Sequence, residues 1–431
     1  MAYVLREACY RPNTEIAGCL RKAEIPLRLA AMTKRSVNNG RSRRAIADPD
    51  PTRINGYAEH PELGPSMLFF SGGTALDGLS RQLKAYSHNT IHLVTPFDSG
   101  GSSAVLRQAF DMPAVGDLRH RSMALANESL QGSPAVYRFC RYRLPEQAAP
   151  GQLRRLFEQM VAGHHELMAD MPEPRRQQIC AQLARVYAEL PADFDFCRAS
   201  VGNLVLAGAY LGHDRDLDAA LALFSELVSV QGTVRAIVND NVHLAAELEN
   251  GARVLGQHRL TGKEVPPIQS PVSQLVLTAS LEAWTPVEVS IQPETHDLIT
   301  GAELICYAPG SFYSSLMATL LPNGVARAVA ASAAPKVLIP NLGSDPEQLG
   351  MSIDDSLRTL VTQLGGDGRS VSDVLNYVII DSSRGHYASD VSRETLQVMG
   401  IELLDLALIS DQSAPYYDDE RLLQTLLSLV A

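Results

Sequence analysis

The chain has 431 residues, 45% hydrophobic and 20% charged, with 37 Lys/Arg against 48 Asp/Glu for a formal net charge of -11. That balance excludes wholesale binding to a nucleic-acid backbone, and the length allows two or three structural units around a large core. No run of about eighteen apolar residues occurs, which excludes a membrane-spanning helix.

Charge is unevenly placed. Residues 1–60 hold eleven Lys/Arg against six Asp/Glu, leaving the remainder with 26 basic and 42 acidic groups. Arg6 and Glu7 interrupt the first apolar residues before a secretory core can form. Six scattered cysteines without a C-x-x-C pair read as reduced thiols. The expected location is therefore cytoplasmic. The basic leader lacks apolar periodicity beyond about residue 32, so residues 1–60 are expected as a partly flexible extension, with docking to an acidic protein partner as the sharper reading.

From residue 66 strand and helix patterns alternate. "MLFFSG" and "TIHLVTPFD" predict strands, with a helix over 75–86 between them. Residues 147–225 are helical in pattern. The alternating "TVRAIVNDNVHLAAELENGARVLGQHRL", which contains Asn250-Gly251, then predicts a small antiparallel hairpin element. "ELICYAPG", "PKVLIPNLG" and "LNYVIIDSS" are further short apolar runs ending in small or polar residues. The expected fold is α/β: a mostly parallel, Rossmann-like sheet covered on both faces, with a helical and hairpin insertion at about 147–265 of a domain spanning 61–431. Near the C-terminus, Asp418 and Asp419 precede an apolar periodic run and read as helix initiators.

Four stretches after predicted strands could carry chemistry. In "SGGTAL", Gly72, Gly73 and Thr74 lead from strand to helix and could cradle a phosphate, although the spacing fits neither G-x-G-x-x-G nor the P-loop, and a plain turn fits equally. "FDSGGSSAVLR" packs Asp98, Gly100, Gly101, Ser102, Ser103 and Arg107 together, offering phosphate donors, a cation, and a carboxylate for a metal or a ribose hydroxyl. A flexible loop with Asp98 as a cap is the bland reading. "VGDLRHR" adds Asp117, Arg119, His120 and Arg121, which fit a capped, solvated helix start equally well. "APGSFYSSL" brings Gly310, Ser311, Tyr313, Ser314 and Ser315 to the end of a later strand, where they could close over a diphosphate or sugar. Ligands of open parallel sheets bind beyond the carboxyl ends of strands, and all these loops sit at that end.

Taken in order, "SGGTAL", "DSGGSSAVLR", "VGDLRHRSMALA", "SVGNLVLAGAYL" and "APGSFYSSL" resemble the CofD/YvcK superfamily from about residue 66 to the C-terminus. The resemblance implies a nucleotide-binding protein. One branch comprises magnesium-assisted transferases that move a phospholactyl group from a guanosine diphosphate donor to a deazaflavin alcohol. The other comprises YvcK-type nucleotide-sugar-binding regulators of carbon metabolism or cell-wall synthesis. Carried over by motif, Gly72 to Thr74 form the phosphate loop. Asp98 is the Mg²⁺ ligand and, with Asp117, the catalytic carboxylate pair. Gly100 to Ser103, Arg107, Arg119, Asn203 and Gly310 to Ser314 complete the nucleotide pocket. A homo-oligomer without membrane or specific nucleic-acid partners is expected. Ser71 and Ala75 replace the outer glycines of the YvcK-like first loop, and Ser99 replaces a second aspartate, so the chain reads as a divergent branch nearer to YvcK.

Overall fold

The computed structural model describes residues 51–129 and 132–430. The flexible-leader expectation for residues 1–50 lies outside them. Pro51–Glu59 forms a helix (α1). Arg53 of this helix donates to the carbonyls of Leu427 and Val430 at 3.0 and 2.5 Å, so this part of the leader docks on the C-terminal helix Asp419–Leu429.

Met67–Ser71 (β1) is buried along its whole length. Its alternation divides it: Met67 and Phe69 enter a core with Leu79, Leu83 and Leu423, whereas Leu68 and Phe70 enter one with Tyr307, Leu357 and Leu360. A strand that is apolar on both faces needs cover on both, which favours a parallel sheet between two layers. β1 pairs in parallel with Ile91–Val94 (β2), and β2 with Thr233–Ala236 (β3). On its other side β1 pairs with Leu304–Tyr307 (β8), followed by Lys336–Leu338 (β9), Tyr377–Ile380 (β10) and Glu402–Asp405 (β11). The seven-strand order is β11-β10-β9-β8-β1-β2-β3. The chain thus leaves β1 in one direction and returns on the other side, opening a crevice between the loops after β1 and β8.

Asp77–Leu83 (α2) connects β1 to β2. Between β2 and β3 lie Gly101–Phe110 (α3), Gly116–Leu125 (α4), Pro134–Arg141 (α5), Pro150–Val161 (α6), Glu173–Glu189 (α7), Val201–Gly212 (α8) and Leu217–Val228 (α9). They share one core with Val94, Val234 and Ala236 of the sheet edge. The helical region between β2 and β3 runs over 101–228, starting well before the expected 147, and "TVRA" belongs to the parallel sheet. The antiparallel element begins later and is larger: His243–Leu248 (β4), Arg253–Leu255 (β5), Val272–Thr278 (β6) and Pro286–Val287 (β7) form a second sheet of order β5-β4-β6-β7. Gly251, at φ +82°, supplies the turn between β4 and β5 that an L side chain would resist. No helix among the described residues is long and apolar enough to cross a membrane. Asp418 accepts from the amides of Glu420 and Arg421 and caps the last helix, as its position predicts.

Candidate functional site

The first loop is held from beneath. Arg121 of α4 is fully buried, and its guanidinium donates to the carbonyls of Gly72 and Gly73 at 3.1 and 3.2 Å. It also donates to Leu76 O and Ser80 Oγ. A trans peptide points its carbonyl and the following amide in opposite directions. With the Gly72 carbonyl turned to Arg121, the Gly73 amide turns the other way, to the side of the Asp117 carboxyl, whose pKa it pulls down. Gly72 is required by close approach: a Cβ there would lie 2.5 Å from Ser315 Oγ. Thr74 is exposed at the rim of the loop, and its carbonyl accepts from Asp77.

The second loop meets the first through carboxylates. Asp98 Oδ1 accepts from Gly100 N at 3.1 Å, and its Oδ2 lies 3.6 Å from where a Cβ on Gly116 would stand. Asp117 follows directly on α4. Burial, then the charge of Asp98, holds the Asp117 carboxyl above its ordinary range, against the opposing pull of the Gly73 amide. Ser103 packs on Gly116, and Ser102 Oγ accepts from Asn203 Nδ2 at 3.3 Å. Arg107 is turned inward. Its buried guanidinium donates to the carbonyls of Phe97, Asp98 and Val242 and to Asn241 Oδ1, clamping the loop to β4. Its Nη atoms are therefore committed to protein oxygens, while its Nε is buried without a partner among the described residues. Arg119 also separates from Asp117: two residues along a helix is about 200°, and its stem runs along Gly202 of α8.

Two side chains from the segment after β5 reach this loop. His258 Nδ1 and Ser99 Oγ are 2.8 Å apart. Glu264 Oε1 lies 2.6 Å from a Cβ position on Gly100, over the first turn of α3. The fourth loop begins at Gly310, which stands 3.6 Å (as a Cβ position) from Ala75 of the first loop. Its amides are already claimed. Asn341 holds Gly310, Asp345 accepts from Phe312 N at 2.8 Å, and Glu347 accepts from Tyr313 N, Ser314 N and Ser314 Oγ. Tyr313 and Ser314 thus face a buried acidic pair, leaving Gly310, half-buried Ser311 and Ser315 on the crevice side. Burial, then Asp345, pushes the Glu347 carboxyl up to about 7.

The family model described as 2-phospho-L-lactate transferase CofD matches residues 67–409. The chain belongs to the CofD family. It is similar to a protein of Thermoanaerobacterium thermosulfurigenes provisionally named a gluconeogenesis factor, at 26% identity over 85% of this chain and 97% of that one. The gluconeogenesis factor of Bacillus subtilis is 27% identical over 82% of this chain and 93% of its own length. A crystal structure of a UPF0052 family member from Bacillus halodurans shares the fold, with a TM-score of 0.63 at 21% identity over 84% of this chain and 99% of that chain.

In this CofD-family site, the Gly72–Thr74 loop, Asp98, Gly100, Ser103 and Asp117 converge at the β1 and β2 ends, and Gly310 closes the β8 side. Asn203 joins them through Ser102, at the edge. Among the described residues, no group of three or more His, Cys, Asp or Glu is arranged to hold a metal by itself. Asp98 and Asp117 nevertheless fit Mg²⁺, which takes one or two carboxylates and completes its shell with phosphates and water. Their mutual repulsion, visible in Asp117, is what a divalent cation relieves. Sequence reasoning underrated Arg121 and Ser315 and missed His258, Glu264, Asp345 and Glu347. The acids in "NLGSDPEQLG", directly after a strand, were the available signal for the last two.

Proposed function

We propose that the chain binds the diphosphate of a nucleoside-diphosphate-linked ligand in the β1/β8 crevice, with Mg²⁺, and transfers a phosphoryl-linked group from it to an acceptor hydroxyl, the bridging P–O bond breaking and the nucleoside monophosphate leaving. The observation that carries this reading is the Gly73–Asp117–Asp98 arrangement at the sheet's switch point. Family membership supports it. Asp98 would hold the metal, which supplies charge neutralisation on the diphosphate. The glycine loops and the helix ends behind them orient phosphate oxygens, and Asp117 is positioned to accept the acceptor's proton. Phosphoryl transfer depends more on such positioning and electrostatics than on a covalent nucleophile.

A second reading, a nucleotide-sugar-binding regulator without turnover, is favoured by Ser99. It stands where a further carboxylate would strengthen the metal site, and it is spent on His258. The names of the curated relatives lean the same way. Calorimetric titration with GDP, GTP and UDP-sugars, with and without Mg²⁺, on wild type and Asp98→Ala, separates them. The transfer reading expects tight, Mg²⁺-dependent diphosphate binding that Asp98→Ala weakens at least tenfold. A metal-indifferent preference for a UDP-sugar, unchanged in Asp98→Ala, supports the regulator and removes the metal role of Asp98.

A further inference from the structure

Outside the carboxylate side of the crevice lies a positive pole, Arg119, without an ion-pair partner. Arg119 is only 8% exposed, its Nε is buried without a partner, and no carboxylate stands at ion-pair distance among the described residues. A buried cation left uncompensated costs several kcal/mol, so natural proteins pair such groups. Burial, then another cation, Arg143, pulls the Arg119 guanidinium down to about 10, against the weaker opposing influence of Cys140 and Asp117. Arg143 is exposed and spends one nitrogen on Arg198 O at 3.2 Å.

Arg119 runs into the start of α8, a twelve-residue helix. Its Cδ lies 2.7 Å from a Cβ position on Gly202, so only glycine lets the stem pass. The residue before the helix, Ser200, makes no side-chain cap, and its buried Oγ has no partner. Asn203, 1% exposed, bonds Ser102 through Nδ2 while its Oδ1 has none. Val201 N is taken by Tyr142 O at 3.0 Å, leaving the positive helix end to the next amides. A largely buried guanidinium without a hydrogen-bond partner, a helix N-terminus without a side-chain cap, and the unsatisfied Ser200 hydroxyl are together the complement of a tetrahedral oxyanion, with Asn203 Oδ1, an acceptor, outside that set.

We infer that Arg119, Arg143, Ser200 and the first turn of α8 form a second oxyanion subsite, of phosphate class, separate from the diphosphate position beside Asp98 and Asp117. Its occupant is either a distal phosphate of the ligand or free inorganic phosphate. Only the distinction between these sources rests on the nucleotide reading above; the affinity for an oxyanion does not.

The test uses the full chain as wild type, Arg119→Met, Arg119→Lys and Arg143→Ala, with sodium phosphate as the probe and chloride at matched ionic strength as the control. Phosphate is expected to raise the wild-type melting temperature saturably. Its apparent affinity should fall at least tenfold in Arg119→Met and severalfold in Arg143→Ala, with partial retention in Arg119→Lys. Arg143 is exposed, so that variant carries the test if Arg119→Met does not fold. Equal phosphate stabilisation in all four proteins, or none beyond chloride in wild type, overturns the subsite. Titration of Mg²⁺-GDP into phosphate-saturated protein reads the source. Simultaneous binding supports a separate subsite, filled by inorganic phosphate when the nucleotide has no third phosphate. If Mg²⁺-GTP, but not Mg²⁺-GDP, displaces phosphate, the occupant is the ligand's distal phosphate. Displacement by Mg²⁺-GDP itself overturns the separateness. A phosphate effect without any nucleotide binding leaves the subsite standing and removes the nucleotide reading instead.

Discussion

Replacing Arg121 by methionine tests whether the first loop is built by the cation beneath it. The guanidinium makes four hydrogen bonds, to Gly72 O, Gly73 O, Leu76 O and Ser80 Oγ. Bonds from a charged donor contribute roughly 1.5–3 kcal/mol each, and a buried carbonyl left without a donor costs about 1–3 kcal/mol. Methionine also removes the cost of burying a charge, several kcal/mol in the opposite direction. The difference leaves a net destabilisation of about 2–4 kcal/mol. With an unfolding entropy of roughly 2 cal/mol/K per residue, that lowers the melting temperature by about 2–5 °C. The larger effect falls on the ligand. Once the Gly72 carbonyl is free to rotate, the Gly73 amide no longer points towards Asp117 and the phosphate side, and affinity for Mg²⁺-nucleotide drops about 10- to 100-fold, or roughly 1.4–2.8 kcal/mol. Thermal melts and calorimetric titration read both effects. Arg121→Lys, which reaches fewer acceptors, should fall between wild type and Arg121→Met. If Arg121→Met melts within about a degree of wild type and binds nucleotide equally well, the loop is held by something else and the reasoning fails.

Glu347 predicts a pH dependence. Its carboxyl is pushed up from 4.5 to about 7 by burial and Asp345, so between those values the folded state holds a proton the unfolded chain has released. Stability from this group is full below about 4.5 and is lost as pH rises through about 7, by at most roughly 3 kcal/mol. Glu347→Gln, which can still accept from Tyr313 and Ser314, should flatten the melting-temperature profile across that window; an unchanged slope would assign it to other groups. Glu264 stands over Gly100 at the start of α3, where a negative charge competes with an incoming anion. Glu264→Gln should tighten diphosphate binding roughly two- to fivefold at low salt, with the difference fading as salt is raised. Weaker binding in that variant would mean that Glu264 assists the ligand.

The sequence was most legible where hydrophobic pattern and turn chemistry are local. The both-sided apolar run of β1, the Asn250-Gly251 turn and the Asp418 cap follow from neighbours within a few residues. Pairing is a different matter. "TVRA" and the β4 strand carry similar alternation, yet one joins the parallel sheet and the other a separate antiparallel one, because partner choice depends on where intervening helices deliver the chain. β11, four residues on a sheet edge, has too little apolar pattern to stand out.

Within the site, residue types and order were enough to nominate Gly72, Gly73, Asp98, Asp117 and Gly310 at strand ends. Direction was not readable. Arg107 and Arg119 have the same side chain in similar settings, but the Nη atoms of Arg107 bond backbone carbonyls and Asn241, whereas Arg119 has no hydrogen-bond partner among the described residues. Ser314 and Ser311 share a loop, yet only Ser314 is claimed by Glu347. Hydrogen-bond partners come from segments distant in the chain, 134 residues away for Arg107 and Asn241. The sequence by itself determined the layers and the loops that could hold an anion. Only the tertiary structure decided which donors in those loops are already satisfied, because a buried donor is committed by whatever acceptor packing brings to it, not by its neighbours in the chain.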